Sequence, residues 1–216
     1  MSEPHVEHKR RFIRTTVLCS LLLIGTLLVT APVLAEAIAV ELRRLDQGWQ
    51  LLRDGEPYLI RGAGGDASLS ELAAAGANSI RTWGADDLED RLDEAHRLGL
   101  TVTVGIWLGH ERHGFDYGDA AQVKAQFERA RETVLRYKDH PAVLLWGVGN
   151  EMEGFEDGDD PAVWRAVIDI GAMIRELDPH HPTMTVTAEI GGARIRNVHE
   201  NCPDIVIHGI NSYGGA

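Results

Sequence analysis

Trp146-Gly147-Val148-Gly149-Asn150-Glu151 is the stretch whose reading decides the fold of this chain. It continues the apolar run Ala142-Val143-Leu144-Leu145, and Asp139-His140-Pro141 stops a helix just before it. A short apolar run bounded by turn residues reads as a strand buried on both faces, as in parallel sheets. This strand ends in an amide and a carboxylate. In parallel α/β folds, ligands and catalytic groups collect at the C-terminal strand tips. Glu151 is therefore a candidate general acid, the plainer reading being a solvated residue at a strand end.

Working outward, the pattern alternates. Val123, Phe127, Ala130, Val134 and Tyr137 mark a long amphipathic helix, preceded by a polar loop at 109–119 and a β-branched strand at 100–108. Before these, 87–98 reads as a helix stopped by Gly99, and 78–83 as a strand with Arg81 and Trp83 near its end. Ser68 and Glu71 form a capping box for a short helix. Residues 49–53 and 57–60 form a hairpin about Asp54-Gly55, with 61–65 as a flexible loop. On the other side, Asp160-Pro161 starts a helix whose buried face is Trp164, Val167, Ile168, Gly171, Ile174 and Leu177. A strand at 183–188, an irregular connection and a strand at 204–210 follow.

Strand and helix alternate at βαβ spacing, which leaves an open doubly wound sheet or a closed barrel. No Gly-x-Gly-x-x-Gly follows the first strand, which argues against a dinucleotide fold. Polar and aromatic residues recur at strand ends: Arg81 and Trp83, His110 and Glu111, Asn150 and Glu151, Glu189, then Asn211 and Tyr213. That repetition favours a barrel mouth.

Composition narrows the rest. The 216 residues carry 44% hydrophobic and 25% charged side chains, values of a globular domain, and a net charge of -12. Such a balance argues against nucleic acid as a partner, which needs a basic patch. Lys9, Arg10, Arg11 and Arg14 precede an uncharged run at 15–35 that closes on Val33-Leu34-Ala35, the pattern of a secretory signal cleaved before Glu36. The rival is an uncleaved membrane anchor. The expectation is a signal segment at 1–35, an exported domain at 36–216, and membrane contact only through the leader if it stays. Cys202 is then the sole cysteine, so no internal disulfide forms. His110-Glu111-Arg112-His113 falls one residue short of the zinc-protease spacing and reads as a polar loop; neither metal nor cofactor is expected.

Asn78-Ser79-Ile80-Arg81, Tyr137-Lys138-Asp139-His140-Pro141, Trp146 to Glu151 and Gly209-Ile210-Asn211-Ser212-Tyr213 together resemble the catalytic (β/α)8 barrel of glycoside hydrolase family 2 and its clan A relatives. The resemblance spans most of the chain after the leader. It implies a retaining glycosidase acting on β-linked carbohydrate. Glu151 resembles the acid/base at the end of the fourth strand, and Asn150 the amide on the sugar 2-hydroxyl. Arg81 resembles the arginine that positions the nucleophile, and Tyr213 the sixth-strand tyrosine that hydrogen-bonds it. A glycosidic oxygen leaves only when protonated, and a second carboxylate about 5 Å away attacks the anomeric carbon. Trp83, Trp107 and Trp146 offer apolar faces for sugar stacking, against core packing as the alternative. His110, Glu111, Glu189 and Asn211 complete the candidate substrate contacts.

In the clan the nucleophile is a glutamate ending the seventh strand, whereas the six strands counted here reach only to Ala216. A whole barrel takes about 250 residues. The expected fold is thus a partial barrel of about six βα units behind a short hairpin, with strand edges left exposed at both ends. The expected chain is an N-terminal fragment lacking the nucleophile. The alternatives are a non-catalytic glycan-binding protein, a transglycosylase, or a site that recruits Glu189 or Glu111 instead. Glu153 is read as part of the acidic turn at 156–160, a solvated loop with a weak calcium site as the other reading.

Overall fold

The computed structural model describes Met1 and residues 37–153, 160–189, 192–203 and 205–214. The expected leader at 1–35 lies outside the described residues, apart from Met1, as does most of the acidic turn. Among the described residues no helix is long and apolar enough to cross a membrane.

The chain opens with three short strands, β1 (Val40–Arg44), β2 (Trp49–Arg53) and β3 (Glu56–Pro57). Then come β4 (Gly62–Gly64), α1 (Leu69–Ala74), β5 (Ser79–Arg81), α2 (Leu88–Arg97) and β6 (Thr101–Ile106). They are followed by α3 (Ala120–Tyr137), β7 (Val143–Val148), α4 (Pro161–Leu177), β8 (Thr183–Ala188), α5 (Arg194–Asn201) and β9 (Ile207–Asn211). β4 to β9 form one parallel sheet in unbroken chain order. A doubly wound sheet reverses its strand order at a switch point, whereas a barrel does not. The architecture is an α/β half-open barrel of six parallel strands, its margins β4 and β9.

Strand parity sets the layers. Ile80, Val102, Val104, Ile106, Trp146 and Val148 share one buried cluster with Leu88, Leu92, Ala130, Val134, Val167 and Ile174 of the helices. This outer layer is the main core. Thr103, Leu145 and Met184 face the opposite way, into a cleft of about 1210 Å³ that is the barrel lumen. Gly105 and Gly147 are register partners on adjacent strands. A Cβ on Gly105 would lie 2.4 Å from the Thr82 carbonyl oxygen, so only glycine lets the backbones approach this closely.

Three of the helices start where the sequence says. The Asp160 carboxylate accepts from the Ala162 N–H at 2.8 Å ahead of Pro161, and Asp119 caps α3 through Ala121 and Gln122. Ser68 caps α1 through the Glu71 N–H.

One expectation is extended and two are corrected. The hairpin is one arm of a three-stranded meander: β1 pairs along the whole of β2, and the strand after Asp54-Gly55 is only β3. The loop at 61–65 contains β4, the first barrel strand, paired in parallel with β5. Its glycine is obligatory, since a Cβ on Gly62 would fall 1.9 Å from the Ser79 carbonyl oxygen. The irregular connection after β8 contains α5, which buries only Val198 and has no side-chain cap. The meander is tied on near the N-terminal strand ends, with Val40 N–H on the His180 carbonyl at 2.8 Å and Arg53 on the Pro141 carbonyl at 2.9 Å. Val40 packs there on Leu144 and Leu145.

Candidate active site

The tips of β5, β7 and β9 bring Arg81, Asn150, Glu151, Asn211 and Tyr213 together. Arg81 ends β5 and reaches across, Nη2 donating to Asn150 Oδ1 at 2.9 Å and Nη1 to Asn211 Oδ1 at 3.3 Å. Asn211 Nδ2 donates to Asn150 Oδ1 at 3.0 Å and to Glu151 Oε1 at 2.7 Å. The Tyr213 hydroxyl donates to the same Glu151 oxygen. That bond, and burial to a lesser degree, raise the phenol above its ordinary range.

The backbone under Glu151 is built for this. Gly149, at φ +71°, donates its N–H to the Ile106 carbonyl, and Glu151 donates to the Val186 carbonyl at 2.7 Å. Glu151 itself has φ +54° and Glu189 has φ +59°, left-handed conformations that cost a non-glycine residue about 1 kcal/mol or more. Both strained residues stand at tips of adjacent strands.

Arg81 is half-buried. Burial pulls its guanidinium below the usual value, while the Glu151 carboxylate pulls it back. Its Nε is buried without a hydrogen-bond partner, and among the described residues it has no ion pair. The guanidinium lies over the Trp83 ring at 4.5 Å. The Glu151 carboxylate acts on it only from beyond ion-pair distance, and a buried charge is costly without a direct counter-charge, so this cation is placed to receive a second anion.

The other sequence candidates divide. His110 is buried, its Nε2 without a hydrogen-bond partner; burial first, then Arg112 and His113, lower its pKa and favour the neutral ring. Its ring sits 5.3 Å from that of Trp107. Glu111 is exposed on the 3-10 turn Glu111–His113, outside the hydrogen-bonded cluster. Glu189 turns back on the chain, accepting from the Tyr213 N–H at 2.5 Å. Trp146 faces away from the lumen: it is fully buried against the helices, and its Nε1 donates to Asp178 at 2.7 Å. It packs the core and offers no face to a sugar, because its parity is opposite to that of lumen-facing Leu145.

Glu153 was missed. It is 5% exposed, not a solvated turn residue, and Oε1 accepts from the Ala188 N–H at 2.5 Å. Arg194 Nε stands 4.0 Å away, and Oε2 is buried without a partner. A closed circuit results: Glu151 leads by the chain to Glu153, on to Ala188 and Glu189, then to Tyr213 and back to Glu151. The signal available in the sequence was the neighbouring apolar Met152, itself buried.

The family model for "Glycosyl hydrolases family 2, TIM barrel domain" matches residues 72–213. Over 180 residues the chain is 31% identical to a β-glucuronidase of Sus scrofa, covering 74% of this chain and 25% of that protein. It is 35% identical over 131 residues to the probable mannan endo-1,4-beta-mannosidase C of Aspergillus terreus, covering 49% of this chain and 32% of that one. The chain thus spans a third or less of these relatives. A glycosyl hydrolase family 2 member from Bacteroides cellulosilyticus shares the fold, with TM-score 0.58 and 22% identity over 80% of this chain and 23% of that structure.

Proposed function

Because the chain belongs to glycosyl hydrolase family 2 through its TIM-barrel domain, we propose that it carries the acid/base half of a retaining site for β-linked glycosides. The observation that carries this reading is the convergence of Glu151, Asn150, Asn211, Arg81 and Tyr213 at one rim of the lumen. Glu151 gives its proton to the glycosidic oxygen as the bond to the anomeric carbon breaks. A carboxylate attacks the opposite face of that carbon and forms a glycosyl ester. Glu151, now ionised, takes a proton from water, whose oxygen displaces the ester and releases the sugar.

The Arg81 guanidinium, which forms no ion pair among the described residues, supports a place for that nucleophile. Asn150 and Asn211 offer amide groups to sugar hydroxyls, and Trp83 an exposed ring. Glu189 and Glu153 are each held by a backbone N–H, which leaves the attacking carboxylate to come from outside the described cluster. Export across a membrane through the basic and uncharged leader at 1–35 belongs to the same proposal.

A second reading, a glycan-binding protein without turnover, is favoured by one observation: no described carboxylate pairs with Arg81. Incubation with 4-nitrophenyl β-glucuronide, β-galactoside and β-mannoside separates the two, with the anomeric proton of the first product followed by NMR. Release of a β-configured sugar, which requires that the protein also supplies the attacking carboxylate, is the outcome this reading expects. Saturable binding with no release favours the second reading, and an α-configured first product overturns the retaining mechanism.

A further inference from the structure

Trp83 lines two cavities. One is the lumen cleft. The other is a groove of about 820 Å³ bounded by the segment after β5, the end of β6 and one face of α3. We propose that this groove is a second glycan site, which holds further units of a neutral β-linked oligosaccharide whose end sits at the Glu151 cluster. The proposal deepens the functional reading above and rests on it.

Two indoles carry the argument. Trp83 is 44% and Trp107 49% exposed, on consecutive strand tips, whereas Trp146 and Trp164 are fully buried. Neither exposed ring is loose. Trp83 is held by the Arg81 guanidinium, 4.5 Å from the ring centroid, and by Gly64 at the benzo end of the indole, where a Cβ would lie 2.5 Å from Cη2. Trp107 is braced by His110. Rigid aromatic faces bind with little further loss of entropy. The C–H face of a pyranose matches them.

The polar lining suits hydroxyl groups. Asp86, Gln126, Arg129 and Glu132 mix donors and acceptors of both signs. Gln126 holds the Gly109 N–H through Oε1 at 2.7 Å, while its buried Nε2 has no hydrogen-bond partner. Arg136, the groove's other cation, is engaged by Glu89. With no surplus of positive charge, the groove selects a neutral glycan over a uronate polymer. Trp83 also links the two sites physically, since Arg81 touches both its ring and Asn150.

Calorimetry with mannobiose, mannohexaose, cellobiose and cellohexaose tests this on the whole chain. In at least one series the hexaose is expected to bind about tenfold more tightly than the biose. Trp107→Ala, at an exposed position, removes that gain and leaves biose affinity unchanged. Arg129→Ala weakens the hexaose alone. Length-independent affinity, or an unchanged hexaose constant in both variants, overturns the groove. Absence of all binding also overturns it. Aryl glycoside hydrolysis shows separately whether the Glu151 reading fails with it.

Discussion

Asp178 is expected to be among the most costly single residues to remove from this fold, although it lies outside the site. It follows α4 and is 2% exposed. Its Oδ2 accepts from Trp146 Nε1 and His181 Nδ1, both at 2.7 Å, and its Oδ1 accepts from the His180 N–H at 3.0 Å. An anion at a helix C-terminus opposes the helix dipole, so these three donors are what keep it there. Asp178→Ala leaves two buried side-chain N–H groups without an acceptor, each at about 1–3 kcal/mol. The expected loss is about 3–5 kcal/mol, the range for breaking a buried charged pair. That is a large share of a typical total of about 5–15 kcal/mol. Asp178→Asn retains one carbonyl oxygen and is expected to lose roughly half as much. Urea denaturation with an unchanged m-value measures both. Burial alone would raise the Asp178 carboxyl, but the bonds from His181 and Trp146 outweigh it and hold it below the ordinary range. A carboxylate held low stabilises the fold fully above its unfolded value near about 3.9, and the effect is lost as pH falls through the folded value. The gap between wild type and Asp178→Asn therefore narrows below about pH 4. A loss under about 1 kcal/mol for Asp178→Ala, or a gap that widens in acid, would refute the reasoning.

Glu153 has the opposite sign. Burial first, and Glu151 in addition, raise its carboxyl above the usual glutamate range. The protonated form is favoured in the fold, so stability is lost as pH climbs from about 4.3 through the raised value. Glu153→Gln keeps the acceptor for Ala188 and is expected to be more stable than wild type at pH 7 but equal to it at pH 4; parallel curves would contradict this. Gly105→Ala puts a methyl against the Thr82 and Trp83 backbone, and a thermal melt should show a loss of about 1–3 kcal/mol.

Much of the frame was legible because it rests on local chemistry. The Asp160-Pro161 and Ser68 caps act within a few residues, and the outward faces of β6 and β7 are plain apolar runs. The convergence of Arg81, Asn150, Asn211 and Tyr213 could be anticipated from their shared place at strand tips. What escaped depends on partners distant in sequence. β4 reads as a glycine-rich loop, because its glycines are explained only by the Ser79 backbone beside it. β1 makes sense only against β2. Trp146 was open to two readings, a sugar-stacking face or core packing; parity with Leu145 turns it to Asp178 and decides for the core. Glu153 looked solvated beside acidic residues, and only the Ala188 N–H across the next strand reveals its role.

The role of Glu151 as proton donor is tested most directly by Glu151→Gln, assayed on a sugar that the native protein hydrolyses. The leaving groups should range from methyl to 2,4-dinitrophenyl. Loss of the donor should cut kcat/KM about 10²–10⁴-fold for methyl and simple phenyl glycosides, and far less for the dinitrophenyl glycoside, which departs without a proton. An equal loss on every leaving group, or no loss on any, would contradict the assignment of Glu151.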